Sequence, residues 1–273
     1  DRDMAFEDLI ILIPSHSLED FPTDLPEESA IGLLNAFCVT WHPRLLADAE
    51  VIPRWHRADD PPEIMQNRLV ILPQCSQDWT PHGWSEQARE SGGVVLENMH
   101  EREALLAAAL GTLDPQTEDS PPELSDDLVA DFLALGHCHL QTELLARHMR
   151  HYSNLDEVHL QREAVAAAQA AVSGEETTAR NHLRSCFEVL ADARERFYPV
   201  DCYLIDLCLL IPRLADEHFT AVLQTLSPVN FLASAEDLQE IGEKDVSLIE
   251  SLREAWERGT ADVIGGEFRE GCT

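Results

Sequence analysis

Two runs of aliphatic residues, each closed by a proline, most constrain the fold of this chain. Leu9 to Ile13 reads LIILI and stops at Pro14, and Arg68 to Leu72 reads RLVIL and stops at Pro73. Apolar runs of this length suit strands that are buried on both faces, which is typical of parallel sheets. Helical patterns separate these runs, so the sequence predicts an α/β protein with a parallel sheet or barrel.

The first 111 residues continue this alternation of strand and helix. Short strands are predicted over 51–55 and 94–96, and a short Ala/Leu helix over 101–110. Helical spacing over 29–49 meets Pro43, which must kink or break the helix. The same pattern places His42 inside the helical segment.

Composition predicts four parts along the chain. Residues 1–111 form the N-terminal α/β part, and 112–125 form an acidic, proline-containing linker. Residues 126–199 carry three amphipathic helical patterns and are interpreted as a helical insertion. Residues 200–273 return to α/β, with strands predicted over 203–211, 228–232 and 261–264 and helices over 236–241 and 246–258.

Charge and cysteine usage limit the partners and the compartment. The chain has 51 acidic and 19 basic residues and a net charge of −32, which disfavours nucleic acid and anionic membrane surfaces. No apolar run approaches the roughly 20 residues of a membrane helix, and no signal peptide is visible at the N-terminus. Seven cysteines, an odd number without a C-x-x-C motif, favour reduced thiols. A cytoplasmic location is therefore predicted.

Polar residues follow the first two predicted strands. His16 and Asp20 come after the first, and His56 and Asp59 come after the second, next to Trp55. Ligands of parallel α/β proteins gather where strands end, so we predict these five residues to bind substrate. The alternatives are a polar loop with helix-capping carboxylates and a tryptophan that fills the core.

Three further acids and a group of histidines are candidates for chemistry. Asp206 lies within an apolar run, and Glu267 and Glu270 follow the last predicted strand after two glycines. Exposed strand-end or turn carboxylates are the alternative for all three. His137, His148 and His151, from a group that also contains Cys138 and His139, could share one helix face, which we interpret as a solvated polar face rather than a metal site.

The C-terminal segment carries a family resemblance. Residues 248–270, a helix followed by E-R-G-T-A-D-V-I-G-G-E-F-R-E, resemble the "G-x-x-E-x-x-G-G-x-x-x-E" strand motif of glycoside hydrolase families 38 and 57. Residues 228–238 are similar to the strand and loop that precede it there. The likeness covers about 45 residues and is moderately specific.

The resemblance implies a parallel (β/α)7-like barrel, or part of one, that acts on α-linked sugars by a retaining carboxylate mechanism. Asp206, Glu267 and Glu270 would then be catalytic or sugar-contacting. Family 38 holds zinc with a His-x-Asp, where this chain reads His16-Ser17-Leu18-Glu19-Asp20. A zinc ion held by His16, Asp20 and Asp206 is therefore an alternative to a site without cofactor. The family nucleophile lies downstream, so the chain is expected to be an N-terminal, truncated part of the barrel.

Two other classes of function compete with a glycosidase. One is a non-catalytic α/β module that binds a ligand or a protein through the same loops. The other is a metal-dependent hydrolase or deacetylase with a similar barrel and histidine ligands. Converging carboxylates favour the glycosidase, a His–His–carboxylate cluster favours the metal enzyme, and an aromatic-lined cleft favours the binding module.

Overall fold

The structure is a computed structural model that describes residues 6–22, 24–113, 124–148, 155–195, 207–210, 212, 219, 223 and 229–265. The chain divides into two compact units, unit 1 (Asp1–Pro199) and unit 2 (Val200–Thr273). Both units are mixed α/β structures with parallel sheets. The prediction of an α/β protein is therefore confirmed.

Four parallel strands form the sheet of unit 1, here called sheet A: Asp8–Ile13 (β1), Arg54–Arg57 (β2), Arg68–Leu72 (β3) and Val94–Glu97 (β4). Their order in the sheet is β2-β1-β3-β4. Every residue of β1 is buried, and five of its six residues are Ile or Leu. A strand of this composition occupies the interior of a parallel sheet because it can be covered on both faces.

Helices connect these strands and continue after them. The connecting helices are Glu27–Val39 (α1), Pro43–Ala49 (α2), Gln74–Gln77 (α3), Trp84–Glu90 (α4) and Arg102–Leu110 (α5), with a short 3-10 helix at Leu18–Asp20. The three long helices that follow are Asp126–His148 (α6), Glu157–Val172 (α7) and Glu176–Glu195 (α8). All three were predicted from the periodicity of apolar residues, because amphipathic helices of this length carry a strong local signal.

The helical pattern over 29–49 is divided between α1 and α2. Pro43 is the first residue of α2, where its missing N–H and its restricted φ are favourable. His42 is the N-cap, and its Nδ1 accepts a hydrogen bond from the backbone N–H of Arg44 at 3.2 Å. The prediction that His42 lies inside a helix is therefore wrong.

The two faces of sheet A are covered differently. Leu9, Ile11 and Ile13 of β1 join one hydrophobic core with α1, α2, α5 and the helices α6 to α8. Ile10 and Leu12 face the other way, because side chains alternate along a strand. They pack in a smaller core with Ala88 of α4 and with residues of the 58–67 connection. That second face therefore has a single short helix over it among the described residues.

The long helices pack directly on the sheet helices. The helix α6 contacts α1 and α8, and α7 contacts α2 and α8. At the α1–α6 contact Gly136 lies against Trp41, and a Cβ at residue 136 would stand 2.5 Å from the Trp41 Cδ1 atom. The helices predicted as an insertion thus share the main core of unit 1.

Unit 2 contains a second parallel sheet, here called sheet B. Its strands are Leu207–Leu209 (β5), Val229–Ala233 (β6) and Ala261–Gly265 (β7). The helices Ala235–Lys244 (α9) and Val246–Glu257 (α10) lie between β6 and β7 along the chain. The strand order is sequential, β5-β6-β7. Phe231 and Ala233 of β6 form a small core with Leu248, Leu252 and Ala255 of α10.

The barrel expected from the sequence is not seen as a closed structure in the described part of the chain. In sheet A, β1 lies between β2 and β3, whereas a sequential barrel would place β2 between β1 and β3. Sheet A therefore has the order of a doubly wound sheet. No helix among the described residues is long and apolar enough to cross a membrane.

Candidate functional site

The strand order of sheet A creates a crevice at its carboxyl edge. From β1 the chain crosses to β2 on one side, and from β3 it continues to β4 on the other side. The loops after β1 and β3 therefore leave the sheet in opposite directions. Doubly wound sheets bind their ligands at this switch point.

Short hydrogen bonds hold the two loops that border the crevice. The Ser15 hydroxyl donates to the Ser17 carbonyl at 2.9 Å, which makes the loop after Pro14 compact. The Ser76 hydroxyl of α3 donates to the Leu12 carbonyl of β1 at 2.7 Å, and this bond is buried. The loop after β3 is thus tied to the neighbouring strand, and both loops present their side chains from a rigid base.

Four side chains meet at this edge, and we call them the His16 cluster: His16, Arg57, Asp59 and Trp79. The Nδ1 atom of His16 lies 3.5 Å from the Oδ2 atom of Asp59. Arg57 donates to both Asp59 oxygens, from Nε at 2.9 Å and from Nη2 at 2.7 Å. The His16 and Trp79 rings meet edge to face, with centroids 5.4 Å apart and planes at 65°. The ends of three different strands supply these residues.

The cluster carries charge and remains open to solvent. Hydrogen bonds from Arg57 lower the pKa of Asp59, and the same bonds raise the pKa of Arg57, so both groups stay ionised. The His16 side chain is 63% exposed, and Trp79 is 40% exposed. The nitrogen of His16 nearest Asp59 is Nδ1, which leaves Nε2 for a ligand. The cluster therefore offers a ligand an indole, a guanidinium, an imidazole and a carboxylate together.

Of the predicted binding residues, the structure brings His16 and Asp59 together. Asp20 lies in the short 3-10 helix after β1, where its carboxylate accepts a hydrogen bond from the Ser17 hydroxyl at 3.4 Å. Asp20 is exposed. Among the described residues, Asp20 makes no hydrogen bond or ion pair with the four residues of the His16 cluster.

Trp55 and His56 lie on opposite faces of sheet A. Trp55 aligns with Ile11, and the Arg147 guanidinium of α6 stands 5.4 Å from its ring centroid. The Trp55 side chain also hydrogen-bonds Glu143, whose pKa is raised because burial outweighs this bond and the Arg147 charge. Trp55 therefore packs beneath α6 rather than at the crevice.

His56 aligns with Leu12 and faces the less covered side of the sheet. Its pKa is lowered, chiefly because burial disfavours the imidazolium, while the charge of Asp8 opposes this shift. Trp55 and His56 were both predicted to bind substrate. They cannot contact one ligand on the same face of sheet A, because neighbouring residues of a strand point to opposite faces.

The three predicted catalytic acids, Asp206, Glu267 and Glu270, lie outside the described residues. Along the chain Asp206 immediately precedes β5, and Glu267 comes two residues after β7. A metal centre was the alternative for His16, Asp20 and Asp206. Within the ranges that the structure describes, no three His, Cys, Asp or Glu side chains are arranged to hold a metal ion.

The histidines of α6 differ from one another in burial. His139 is buried, 9% exposed, and its ring lies 5.1 Å from the Trp41 ring. Burial lowers the pKa of His139 to about 4 and also lowers the pKa of His137. On the predicted polar face His148 is exposed and His137 is half-buried, and His151 lies outside the described residues, whereas His139 packs between α6 and Trp41.

Sequence reasoning does not single out Arg57 and Trp79. Both follow the rule that ligand-binding residues stand at the carboxyl ends of parallel strands, since Arg57 ends β2 and Trp79 follows α3 directly after β3. The repeated indoles in W-T-P-H-G-W, residues 79–84, are the local signal that points to this loop.

Comparisons of the chain with protein-family models, with curated proteins and with solved structures found no match.

Proposed function

We propose that this chain is part of a carbohydrate-active protein and that unit 1 binds a saccharide at the His16 cluster. The observation that supports this proposal is the exposed Trp79 indole against His16, which itself lies 3.5 Å from Asp59 of the Arg57–Asp59 pair, at the switch point of sheet A. The proposal keeps the carbohydrate ligand expected from the resemblance and assigns unit 1 a binding role.

The chemistry of the cluster matches the two-sided character of a sugar ring. An indole supplies an apolar surface for the C–H face of a pyranose, and its large area contributes strongly to binding. Charged donors and acceptors bind hydroxyl groups more strongly than neutral ones do. Arg57 uses two of its five N–H donors on Asp59, and Asp59 has about four lone-pair positions, so both keep capacity for a ligand.

The net negative charge of the chain favours neutral saccharides over anionic ones as ligands. The net charge of −32 repels phosphorylated, sulfated and uronic-acid ligands, and it repels nucleic acid for the same reason. A neutral sugar experiences no such repulsion. Small-ligand sites commonly combine an aromatic surface with a few converging polar groups, which is the arrangement of the His16 cluster.

The glycosidase remains a second candidate, carried by unit 2. Sheet B has the sequential parallel order that a (β/α)7-like barrel requires, and β7 leads directly into Gly266 and Glu267. In this proposal Glu267, Glu270 and Asp206 serve a retaining reaction at an α-glycosidic bond, with carboxyl groups about 5 Å apart. A metal-dependent hydrolase is the alternative within this candidate.

The binding proposal is tested by calorimetric titration of the full chain with neutral oligosaccharides, including malto- and α-manno-oligosaccharides. We expect binding that Trp79→Ala and Asp59→Asn weaken about tenfold or more. Trp256→Ala removes an exposed indole from unit 2 and is the matched control. Absence of binding to every neutral sugar, or equal binding by Trp79→Ala and the control, refutes the proposal.

The glycosidase candidate has a separate test. Hydrolysis of aryl α-glycosides by the full chain should fall by orders of magnitude in Glu267→Gln or Glu270→Gln, while sugar binding at the His16 cluster stays intact. Hydrolysis that is the same in both variants as in the wild type removes these acids from the mechanism.

A further inference from the structure

A groove adjoins the His16 cluster on the less covered side of sheet A. Asp59, Pro61 and Pro62 of the connection between β2 and β3 form one wall, and Pro81, Trp84 and Gln87 form the other. Its volume is about 410 Å³. This is within the range of roughly 300–1,000 Å³ that small-ligand sites occupy. The 58–67 connection contains no helix, so α4 is the only helix among the described residues that lines the groove.

The groove is continuous with the His16 cluster. Asp59 belongs to both, and Pro81 follows Trp79 by two residues. The segment between the two indoles is held by hydrogen bonds from the backbone N–H of Trp79 to the Ser76 carbonyl at 3.2 Å and from that of Trp84 to the Pro81 carbonyl at 3.0 Å. Trp79 and Trp84 are therefore presented along one ordered segment of chain.

Gly83 completes this arrangement. It precedes α4 with a φ of +76°, a conformation that is costly for residues with a side chain. The turn at Gly83 directs the chain into α4, which carries Trp84 and Gln87 to the groove. A rigid turn reduces the conformational entropy lost on binding, which favours affinity.

The lining selects a ligand that is apolar on its faces and hydroxylated at its edges. Three proline rings, Met65, Ala88 and the Trp84 indole supply apolar surface, while Asp59, Asp60 and Glu63 supply carboxylates. The carboxylates accept hydrogen bonds from hydroxyl groups and repel anions. A chain of neutral sugar units satisfies both requirements, and a basic, proline-rich peptide is the competing occupant.

We propose that the groove extends the saccharide site, so that a linear neutral oligosaccharide binds across both indoles, with one end at the His16 cluster and further units over Trp84. This inference rests on the proposed function of unit 1. It specifies a ligand class, an oligosaccharide longer than a disaccharide, and a second subsite that the sequence alone does not indicate.

The test measures affinity as a function of chain length. The full chain is titrated with neutral oligosaccharides of one to six units of the series that binds. We expect the affinity of the wild type to rise about tenfold from two to five units, which corresponds to one additional aromatic contact. Trp84→Ala should abolish this rise and leave the affinity for short sugars unchanged. Trp79→Ala should weaken the binding of every length.

Trp84 is partly buried against the small core under α4, so Trp84→Ala could lose affinity through unfolding rather than through loss of the subsite. A second variant separates these two causes. Gln87→Trp replaces an exposed groove residue and should block the groove without removing core contacts. It should give the same loss of length dependence as Trp84→Ala. Thermal unfolding midpoints of both variants are compared with that of the wild type to confirm that they are folded.

The outcomes separate this inference from the proposed function. An affinity that does not rise with chain length, or a rise that both groove variants retain, overturns the second subsite and leaves the His16 cluster intact as the sugar site. Absence of binding at every length overturns the proposed function itself. Binding of a synthetic basic, proline-rich peptide that depends on Trp84, without length-dependent sugar binding, assigns the groove to a protein partner instead.

Discussion

Substitution of His42 by Asn tests how the buried histidines of unit 1 affect stability. His42 is 4% exposed and caps α2 through its Nδ1 atom, which accepts the Arg44 backbone N–H. Burial first, and the Arg44 charge second, lower the pKa of His42 from 6.5 to about 4. Protonation would place a charge in the core and turn the accepting Nδ1 into a donor, which removes the cap.

The size and sign of the effect follow from this shift. The pKa of His42 falls by roughly 2.5 units on folding, and each unit corresponds to about 1.36 kcal/mol, so the linked stability is about 3 kcal/mol. The unfolded chain binds the proton more readily than the folded chain does between pH 6.5 and pH 4. This contribution to the free energy of unfolding is therefore complete above pH 6.5 and is lost as the pH falls towards 4. Well below pH 4 the contribution is absent, because His42 is protonated in both the folded and the unfolded chain.

His42→Asn keeps a side chain that is well suited to an N-cap but removes the titration. Free energies of unfolding in urea are measured from pH 7 to pH 4 by tryptophan fluorescence, which reports mainly on unit 1 because four of the five tryptophans lie there. The wild type should lose about 3 kcal/mol relative to the variant over this range.

Comparison with the variant is necessary because other groups titrate over the same range. The loss of carboxylate charge also reduces repulsion in this acidic chain, which favours the folded state as the pH falls. His82→Asn, at an exposed position, is the control and should follow the wild type. A difference between wild type and His42→Asn that is constant from pH 7 to pH 4 refutes the reasoning.

Three further predictions concern local packing and charge. Gly136→Ala should destabilise unit 1 by about 1–3 kcal/mol, because the new methyl group would stand 2.5 Å from a Trp41 ring atom, and chemical denaturation measures this. Ser76→Ala should cost about 1 kcal/mol by the same assay, because a buried β1 carbonyl loses its 2.7 Å donor. Arg57→Gln should raise the pKa of Asp59 towards its usual range, as followed by carboxyl NMR titration.

Each of these predictions has an outcome that contradicts it. Gly242→Ala, in α9 of unit 2, is the control for the glycine substitution, since its Cβ would meet only a side-chain atom of Ile249 at 3.3 Å. If Gly136→Ala is as stable as the wild type, residue 136 does not lie as close to the Trp41 ring as 2.5 Å from a Cβ atom implies. An unchanged unfolding midpoint in Ser76→Ala would show that the Ser76–Leu12 hydrogen bond does not stabilise unit 1. An Asp59 pKa that does not respond to Arg57→Gln would show that Arg57 is not the cause of the lowered pKa.

The elements of this fold are largely predictable from local sequence. Apolar runs such as Leu9–Ile13 and Arg68–Leu72 correspond to β1 and β3, and the amphipathic patterns after residue 125 correspond to α6, α7 and α8. These signals depend on residues close in sequence, so they can be recognised without knowledge of the fold. Pro43 indicated a break in the helix, but whether His42 lay in the helix or at its end depended on the cap geometry.

The candidate site is predictable only in part. The rule that ligands gather at strand ends selected His16 and Asp59 separately, each after a different strand, and the structure brings these two side chains within 3.5 Å. It did not show which of Trp55 and His56 faces α6, because the face that each residue of a strand takes depends on the register with β1. Trp79 joins the cluster through the pairing of β1 with β3, two strands that are about 60 residues apart in the chain.

The sequence by itself therefore determined the α/β class, the parallel character of the strands, the presence of three long helices after residue 125 and the net charge of −32. Only the tertiary structure decided that β1 lies between β2 and β3, and that His16, Asp59 and Trp79 consequently meet at one crevice. The physical reason is that strand order and burial arise from non-local contacts. Residue patterns along the chain specify which surfaces are apolar, but not which of those surfaces pack together.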